Sequence, residues 1–331
     1  MRISSLALLT KKRNKSKKKN FLAQIIPKKR IIMGGIHYFC EQNEMKKLIS
    51  SLRLALSSCY KGDELQTVIK ALCCELLGID EYTFYLKDDV ILTPAQCDAL
   101  NLAMHRLQRG EPLQYVLGSA PFDGLTLKVD ESVLIPRPET SQLARLALEY
   151  APGKSFLDVG TGSGCIAIAL AKDCKEGTVA ACDISDKALA TARHNARANH
   201  ADVNFLNADL LSVLSGVPLP EELQGMEVDC IVSNPPYIRR SERIFMERRV
   251  LDYEPALALF VPDDDPLLFY RALALWGQTH LLRPNGAICV EINRDFGFET
   301  AVLFEHYGYN HIQVHPDLFG NERFVTCQKK A

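Results

Sequence analysis

The chain has 331 residues, of which 47% are apolar and 24% charged, the composition of an ordinary globular protein long enough for two domains. No apolar run approaches the ~18 residues of a membrane span, which argues against a transmembrane protein. Its eleven cysteines include no Cys-x-x-Cys pair, and no His-Glu-x-x-His motif occurs, so no metal site is expected. Most cysteines lie in apolar strands or helices, which predicts buried thiols in a reducing cytoplasm.

The formal net charge of −1 conceals an uneven distribution of charge. Residues 1–30 contain eleven Lys or Arg and no acid, so 28 of the 39 bases and all 40 acids fall in the remainder, which carries −12. An acidic body of this kind argues against a broad nucleic-acid-binding face.

The basic N-terminal extension, residues 1–43, is too charged to pack a core and is expected to be disordered. Three interpretations of it stay open. It is a nucleic-acid-binding arm, an organelle-targeting leader, or an extension from a start codon set too early, with Met33 or Met45 as the working start. A secretory signal is not indicated, because the segment has no long apolar region followed by a small-residue cleavage site.

Helical periodicity follows the basic extension. Apolar residues recur every three or four positions over 45–56 and again over 65–76. A further helix is predicted to start with Thr93 as its N-cap and Pro94 in its first turn. Residues 44–118 are therefore predicted to form a small helical domain, which serves either as a scaffold or to present a protein substrate.

A linker over residues 119–140 is expected to join this helical domain to the next. Alternating apolar residues over 125–129 and 133–135 predict a β-hairpin within it. Prolines on both sides of Arg137 hold the backbone extended, so Arg137 is expected to line a pocket and contact the substrate.

Strands and helices alternate through residues 141–331, which predicts a parallel, doubly wound α/β sheet. The predicted strands are 156–159, 179–183, 203–206, 228–233 and 287–292, and the predicted helices are 165–172, 186–199, about 211–224 and 266–282. The last two predicted strands, 312–315 and 323–326, form an antiparallel hairpin. A hairpin appended to a parallel sheet is a feature of methyltransferases rather than of dehydrogenases.

A glycine-rich loop, Gly160-Thr161-Gly162-Ser163-Gly164, follows the first strand of this sheet. Alternate glycines let the backbone turn tightly and lie against a ligand at a helix N-terminus. Because Cys165 stands where a dinucleotide fingerprint needs its third glycine, the loop favours S-adenosylmethionine. Asp183 ends the second strand, where its carboxylate can accept both ribose hydroxyls. Leu210, after the third strand, either borders the adenine or packs in the core.

The fourth strand ends in Ser233-Asn234-Pro235-Pro236-Tyr237. Prolines lack an N–H, so the backbone carbonyls of Asn234 and Pro235 are left free to accept hydrogen bonds from a ligand. The Asn234 side chain adds an acceptor and Tyr237 adds a flat wall. This arrangement suits a planar group bearing an NH₂, either an amide or an exocyclic amine. The alternative is a plain Asn-Pro turn.

From about Glu44 to its C-terminus the chain resembles the HemK/PrmC family, methyltransferases that modify a glutamine of peptide-chain release factors. The motifs that carry the resemblance are 112–118 (Pro-Leu-Gln-Tyr-Val-Leu-Gly), 133–140 (Val-Leu-Ile-Pro-Arg-Pro-Glu-Thr), 160–164, 233–237, 254–259 and 320–323. Two positions depart from the family pattern: Ser141 stands where an acid is usual, and Leu210 where an aromatic is common.

The resemblance implies a Rossmann-like S-adenosylmethionine-dependent methyltransferase domain, preceded by a helical substrate-recognition domain. The residues implied to contact the cofactor are Gly160, Thr161, Gly162, Ser163, Gly164, Asp183, Leu210 and Asn234. Those implied to hold the glutamine are Asn234, Pro235, Pro236 and Tyr237, with Asn234, Pro235 and Tyr237 as the catalytic set.

The expected reaction is methyl transfer to the side-chain amide nitrogen of the glutamine in the Gly-Gly-Gln motif of release factors. We expect a cytoplasmic enzyme of translation termination that uses no metal and binds neither membrane nor DNA. Alternatives within enzymes are another protein glutamine and adenine in nucleic acid, which Asn-Pro-Pro-Tyr alone would also fit. A further alternative is a non-catalytic cofactor-binding or RNA-associated module that uses the basic extension as its contact.

Overall fold

The computed structural model describes residues 44–87, 89–151, 154–174 and 177–331. The expectations for the basic extension, residues 1–43, lie outside the described residues. The chain divides into two compact units, one up to Arg109 and the other from Gly110. No helix in the described parts of the chain is long and apolar enough to cross a membrane.

The first unit is helical. Its helices are α1 (Met45–Leu56), α2 (Gly62–Ala71), α3 (Glu81–Leu86) and α4 (Pro94–Gln108), with a π-helical turn at Leu72–Leu76 directly after α2. Apolar side chains at helical spacing fill its core, and Leu52, Ile69 and Leu100 are fully buried. Each such side chain contributes about 1.5–3 kcal/mol by leaving water. The helices predicted for this part of the chain are confirmed.

A capping box starts α4 at the predicted residue. Thr93 Oγ1 accepts a hydrogen bond from the backbone N–H of Gln96 at 3.3 Å, and Gln96 Oε1 accepts one from the N–H of Thr93 at 2.9 Å. Pro94 occupies the first helical position, where a backbone N–H would have no partner within the helix, so the lack of an N–H costs no hydrogen bond. Two backbone donors at the helix start are thereby satisfied.

The second unit begins with α5 (Leu113–Leu117) and a hairpin of β1 (Ser119–Phe122) and β2 (Leu125–Lys128). The hairpin predicted with 133–135 as its second strand is wrong. Asp123 and Gly124 both have positive φ, 46° and 78°, and make the tight turn one strand earlier. Ile135 donates its N–H to the Glu254 carboxylate at 3.2 Å and joins no strand.

A seven-stranded sheet forms the body of this unit. The remaining elements are α6 (Thr140–Tyr150), β3 (Phe156–Val159), α7 (Cys165–Asp173), β4 (Val179–Asp183), α8 (Asp186–Ala198), β5 (Asn204–Asn207), β6 (Val228–Ser233), β7 (Ile238–Arg239), α9 (Arg248–Tyr253), β8 (Phe260–Val261), α10 (Leu268–Gln278), β9 (Leu282–Glu291), α11 (Gly297–His306), β10 (Asn310–Pro316) and β11 (Glu322–Gln328). The strand order is β10-β11-β9-β6-β3-β4-β5.

Strands β5, β4, β3, β6 and β9 run parallel, and β11 pairs antiparallel with both β9 and β10. The predicted doubly wound sheet with its C-terminal hairpin is confirmed. Strands β7 and β8 form a separate parallel pair. In place of the helix predicted near 211–224 are 3₁₀ turns at Leu210–Ser215 and Glu221–Leu223, because Gly216 has a φ of 75° and prolines follow at 218 and 220.

Both faces of the central strands are covered. Leu157 packs in a core cluster with Trp276 of α10, while its neighbour Phe156 packs in a second cluster with Leu143 of α6. All four residues are fully buried. Because side chains alternate across a strand, a continuous apolar run requires helices on both faces. The carboxyl ends of the strands are left for ligands.

We expect Thr93→Ala to lower the free energy of unfolding by about 1 kcal/mol, because the capping box loses its acceptor. The matched control is Thr67→Ala, which removes an exposed threonine hydroxyl inside α2, bonded only to the Asp63 carbonyl. Chemical denaturation of both variants gives the two free energies. Equal effects would show that the cap contributes nothing to stability.

Candidate active site

A crevice opens where the strand order reverses. Strand β4 lies on one side of β3 and β6 on the other, so the loops after β3 and β6 part at the carboxyl edge of the sheet. This is where doubly wound sheets bind ligands. Ser233 Oγ donates a buried hydrogen bond of 2.6 Å to the carbonyl of Val159 and joins the two strand ends. A cavity of about 210 Å³ lies beside them.

The glycine-rich loop forms one wall of this cavity. Residues 160–163 line it, whereas Gly164 lies behind them as the N-cap of α7. All three glycines of the loop have positive φ, between 54° and 84°. A Cβ at Gly164 would lie 3.2 Å from side-chain atoms of both Ala192 and Ile168. A side chain at 164 is therefore opposed by both backbone conformation and space.

Asp158 lies fully buried beneath the loop. Its Oδ2 accepts hydrogen bonds from Thr161 Oγ1 at 2.6 Å and from the N–H of Ala167 at 3.2 Å, while Oδ1 has no partner among the described residues. Burial raises the pKa of Asp158 to about 7, although these two hydrogen bonds oppose the rise. The sequence reasoning assigned Asp158 no role. The sequence feature that marks Asp158 is an acidic residue inside an otherwise apolar strand.

Asp183 faces the loop from the end of β4. Its Oδ2 accepts the N–H of Gly162 and its Oδ1 accepts the N–H of Ser185, both at 2.9 Å. Burial raises the pKa of this carboxyl, and the backbone donors lower it in part. Each oxygen keeps a further lone pair, and Asp183 lines the cavity. The carboxylate is therefore fixed in place with acceptor capacity to spare.

Asn195 fastens the loop from behind, a role absent from the sequence predictions. Its Nδ2 donates to the carbonyls of Ser163 and Lys128, both at 2.9 Å, and its Oδ1 accepts the N–H of Lys128 at 2.7 Å. The side chain is 1% exposed. The Asn195 amide of α8 thus pairs with the backbone N–H and carbonyl of Lys128 in β2. It also holds the glycine-rich loop next to β2 through the Ser163 carbonyl.

The Asn-Pro-Pro-Tyr loop stands between two cavities. Asn234 and Pro235 line both the first cavity and a second one of about 190 Å³; Pro236 lines the first, and Tyr237 lines the second. Arg137 also lines both cavities. The residues predicted to hold the substrate are brought together at the junction of the two.

Arg137 is held by an ion pair. Its Nη2 donates to Glu254 Oε1 at 2.7 Å, and the Glu254 side chain is 1% exposed. Because Glu254 also accepts the N–H of Ile135, this acid fixes the proline-rich segment along the rim of the crevice. Removing either partner would leave a buried charge or donor unpaired.

Thr140 and Glu291 connect the Asn-Pro-Pro-Tyr loop to the sheet. Thr140 Oγ1 donates to Glu291 Oε2 at 2.8 Å and accepts from Asn234 Nδ2 at 3.3 Å, while Tyr237 Oη donates to Glu291 Oε1 at 3.1 Å. Glu291 is 2% exposed, and burial raises its pKa against the effect of these donors. Sequence reasoning missed both residues, although an acid at the end of an apolar strand was a signal.

Leu210 packs in the core and also borders the cavity, and its contact to an adenine stays a prediction. It lines the cavity, and it is 9% exposed as a member of the core cluster around Trp276. Ile184, Leu211 and Phe269 add further apolar lining to the same cavity. The wall beyond Asp183 is therefore apolar.

Comparison with protein families matches two parts of the chain. Residues 139–251 match the model described as methyltransferase small domain, and residues 48–118 match the PrmC N-terminal domain. The crevice thus belongs to a Rossmann-like methyltransferase, an enzyme class that the fold alone left open.

Two curated relatives cover most of the chain. The release factor glutamine methyltransferase of Bacteroides thetaiotaomicron is 41% identical over 286 residues, which span 86% of this chain and 100% of the relative. That of Flavobacterium psychrophilum is 38% identical, over 82% of this chain and 94% of the relative. A solved protein-(glutamine-N5) methyltransferase from Alicyclobacillus acidocaldarius matches 62% of this chain and 100% of its own at 26% identity, with a TM-score of 0.37.

The chain belongs to the family of release factor glutamine methyltransferases, and the resemblance expected from its motifs is confirmed.

The buried Asp158 predicts a specific dependence of stability on pH. A carboxyl whose pKa is raised by folding binds more protons in the folded state, so the free energy of unfolding falls as pH rises from about 4 to about 7. Asp158→Asn removes this dependence. Between pH 5 and pH 7, wild type should lose up to about 3 kcal/mol relative to the variant, at 1.36 kcal/mol per unit.

Chemical denaturation of wild type and variant at the two pH values measures this difference. Asp202→Asn, at an exposed position, is the control and should keep a constant offset from wild type. An offset of Asp158→Asn that is the same at both pH values would mean that Asp158 has no raised pKa.

Proposed function

We propose that this enzyme transfers a methyl group from S-adenosylmethionine to the side-chain amide nitrogen of the glutamine in the Gly-Gly-Gln motif of peptide-chain release factors. The observation that carries the proposal is the position of Asn234 and Pro235 between two cavities, one for each reactant. The names of the two curated relatives support the choice of substrate. Translation termination then places the reaction in the cytoplasm.

The residues that line the first cavity suit the chemistry of the cofactor. The Asp183 carboxylate offers a free lone pair on each oxygen for two ribose hydroxyls. Leu210 with its apolar neighbours suits a flat base, and the glycine-rich loop brings backbone close to the amino-acid end. We assign residues 160–163, Asp183, Leu210 and Asn234 to cofactor contact, and Gly164 to the support of the loop.

Asn234 and Pro235 orient the substrate amide. An amide nitrogen is a weak nucleophile, because its lone pair is delocalised into the carbonyl. The Asn234 side-chain oxygen and the Pro235 carbonyl would accept its two hydrogens, which aims the lone pair and stabilises positive charge as the C–N bond forms. S-adenosylmethionine, when bound, supplies the methyl on a sulfonium for in-line displacement. By analogy with oxyanion-hole donors, each acceptor lowers the barrier by about 2.7–4 kcal/mol.

Pro236, Tyr237 and Arg137 would shape the substrate side of the site. Tyr237 lines the second cavity and its ring offers a flat contact to the glutamine amide, while its hydroxyl is held by Glu291. Arg137, fixed by Glu254, borders the same cavity. We assign the second cavity to the glutamine and the loop that carries it.

A protein substrate fits the charges better than a nucleic acid does. Three of the five arginines in residues 239–249 pair with acids, namely Arg239 with Glu242 at 2.6 Å, Arg248 with Asp252 at 3.6 Å and Arg249 with Glu247 at 3.0 Å. The chain beyond residue 30 carries −12, whereas DNA binding relies on unpaired Lys and Arg. A glutamine on a flexible glycine loop also enters a pocket without the few kcal/mol that base flipping costs. The helical domain, residues 44–118, would recognise the release factor.

Incubation of the enzyme with a release factor and labelled S-adenosylmethionine tests the proposal. Mass spectrometry should find one added methyl on the glutamine of Gly-Gly-Gln, and none on a release factor in which that glutamine is alanine. Asn234→Ala should lower kcat by about 100-fold or more and should lower stability far less than it lowers turnover. Equal label in both release factors, or label in DNA alone, would contradict the assignment.

Asp183→Ala should weaken S-adenosylmethionine binding by about 1.5–3 kcal/mol for each lost hydrogen bond, which is at least about tenfold. Isothermal titration calorimetry measures the affinity. Asp202→Ala, which removes an exposed carboxylate outside the crevice, is the matched control. Unchanged affinity of Asp183→Ala would remove this residue from the cofactor site.

A further inference from the structure

Four side chains from three separate segments form one chain of hydrogen bonds beside the crevice. Asn234 Nδ2 contacts Thr140 Oγ1 at 3.3 Å, Thr140 Oγ1 contacts Glu291 Oε2 at 2.8 Å, and Glu291 Oε1 contacts Tyr237 Oη at 3.1 Å. Thr140 starts α6, Glu291 ends β9, and the other two belong to the Asn-Pro-Pro-Tyr loop. The chain therefore begins and ends in this loop.

The donor and acceptor chemistry of the central pair fixes the direction of this chain. Thr140 Oγ1 donates its single hydroxyl hydrogen to Glu291 Oε2, so this hydrogen is not available to Asn234. Thr140 Oγ1 can therefore only accept a hydrogen bond from Asn234. The group that donates this bond must be the NH₂ half of the Asn234 side-chain amide. The other half, the Asn234 side-chain oxygen, is then turned away from Thr140.

Because Thr140 and Glu291 are buried, breaking these hydrogen bonds would raise the free energy of the folded protein. Thr140 and Glu291 are both 2% exposed, so water does not replace either partner. A reversed Asn234 amide would bring its oxygen against the oxygen of Thr140 and leave a buried hydroxyl lone pair unpaired. The same carboxylate restrains the Tyr237 ring through its hydroxyl. Of the residues that the proposed function places against the substrate amide, Tyr237 is held by Glu291 directly and Asn234 is held by it through Thr140.

We propose that Thr140 and Glu291 are positioning residues, which select the one orientation of the Asn234 side chain that offers its oxygen to the substrate amide. This inference rests on the proposed function, in which that oxygen accepts a substrate hydrogen. Thr140 and Glu291 would fix the direction of the Asn234 oxygen before the substrate binds. Both residues act through Asn234; Thr140 also lines the first cavity, whereas Glu291 does not.

Steady-state kinetics of hydroxyl variants give the first test. Thr140→Val removes the hydroxyl at constant volume and should lower kcat by about 10–100-fold, as for other residues that orient a reactive group, with KM values within about twofold of wild type. Thr140→Ser keeps the hydroxyl and should retain kcat within about threefold. Glu291→Gln should lower kcat like Thr140→Val, because an amide at 291 can donate to Thr140 and allow the reversed orientation.

The matched control is Thr300→Val. Thr300 is fully buried and its hydroxyl has no hydrogen-bond partner among the described residues, so the same isosteric change should leave kcat as it is. Thermal unfolding of every variant shows whether it folds. In an Asn234→Ala background, Thr140→Val should change kcat by less than about twofold, because its effect passes through Asn234.

Three kinetic outcomes would overturn the proposal: Thr140→Val with the kcat of wild type, Thr140→Ser as impaired as Thr140→Val, or additive losses in the double variant. A substrate-free readout separates this failure from failure of the proposed function. In protein labelled with ¹⁵N-asparagine, Thr140→Val should shift the side-chain amide signals of Asn234 and leave those of Asn195 in place. Unshifted Asn234 signals would also overturn the proposal, whereas shifted signals with no methylated release factor would remove the proposed function alone.

Discussion

The buried carboxylate of Glu291 is the constraint on which the geometry of the crevice depends. It is 2% exposed and accepts hydrogen bonds from Thr140 and Tyr237. An unpaired charge at such a depth costs several kcal/mol, so the segments that supply its partners are held in one arrangement. The start of α6, the end of β9 and the loop after β6 are joined by this single side chain. The position of Asn234 follows from that junction.

On the cofactor side of the crevice, buried carboxyl groups likewise accept hydrogen bonds that join separate segments, but from different donors. Asp158, inside β3, and Asp183, at the end of β4, accept hydrogen bonds from backbone N–H groups and a hydroxyl rather than from a base. Burial raises the pKa of both carboxyls. Arg137, which also lines the cavity, is paired with Glu254. Asp183 lines the cavity and has no base bonded to it, which suits the cavity to a cationic cofactor.

In the proposed function each of the two cavities takes one reactant, and the Asn-Pro-Pro-Tyr loop lines both cavities. Two consecutive prolines restrict the backbone there, while Asn234 and Tyr237 are restrained through their side chains. A group transfer gains most when both reactants meet a preorganised surface, because little entropy is then lost at the reaction step. In the proposed function, rigidity in this loop therefore serves catalysis as well as structure.

Local signals in the sequence determined the elements and the principal motifs of this protein. Apolar periodicity set the helices and the parallel strands, the capping box at Thr93 set the start of α4, and the Asn-Pro-Pro-Tyr loop was recognisable because its chemistry is contiguous. The predicted hairpin is misplaced because apolar alternation continues beyond β2, whereas the two-residue turn Asp123-Gly124 sets the hairpin one strand earlier.

Tertiary structure alone decided the partners of these motifs. Thr140 and Glu291 are 151 residues apart in sequence and joined by 2.8 Å in space, and Asn195 reaches Lys128 across 67 residues. The sequence marks such residues only as a polar side chain within an apolar run, and it does not show which of them meet. That is decided by the strand order, since the crossing from β4 and β5 back to β6 brings the ends of β3, β6 and β9 to one edge.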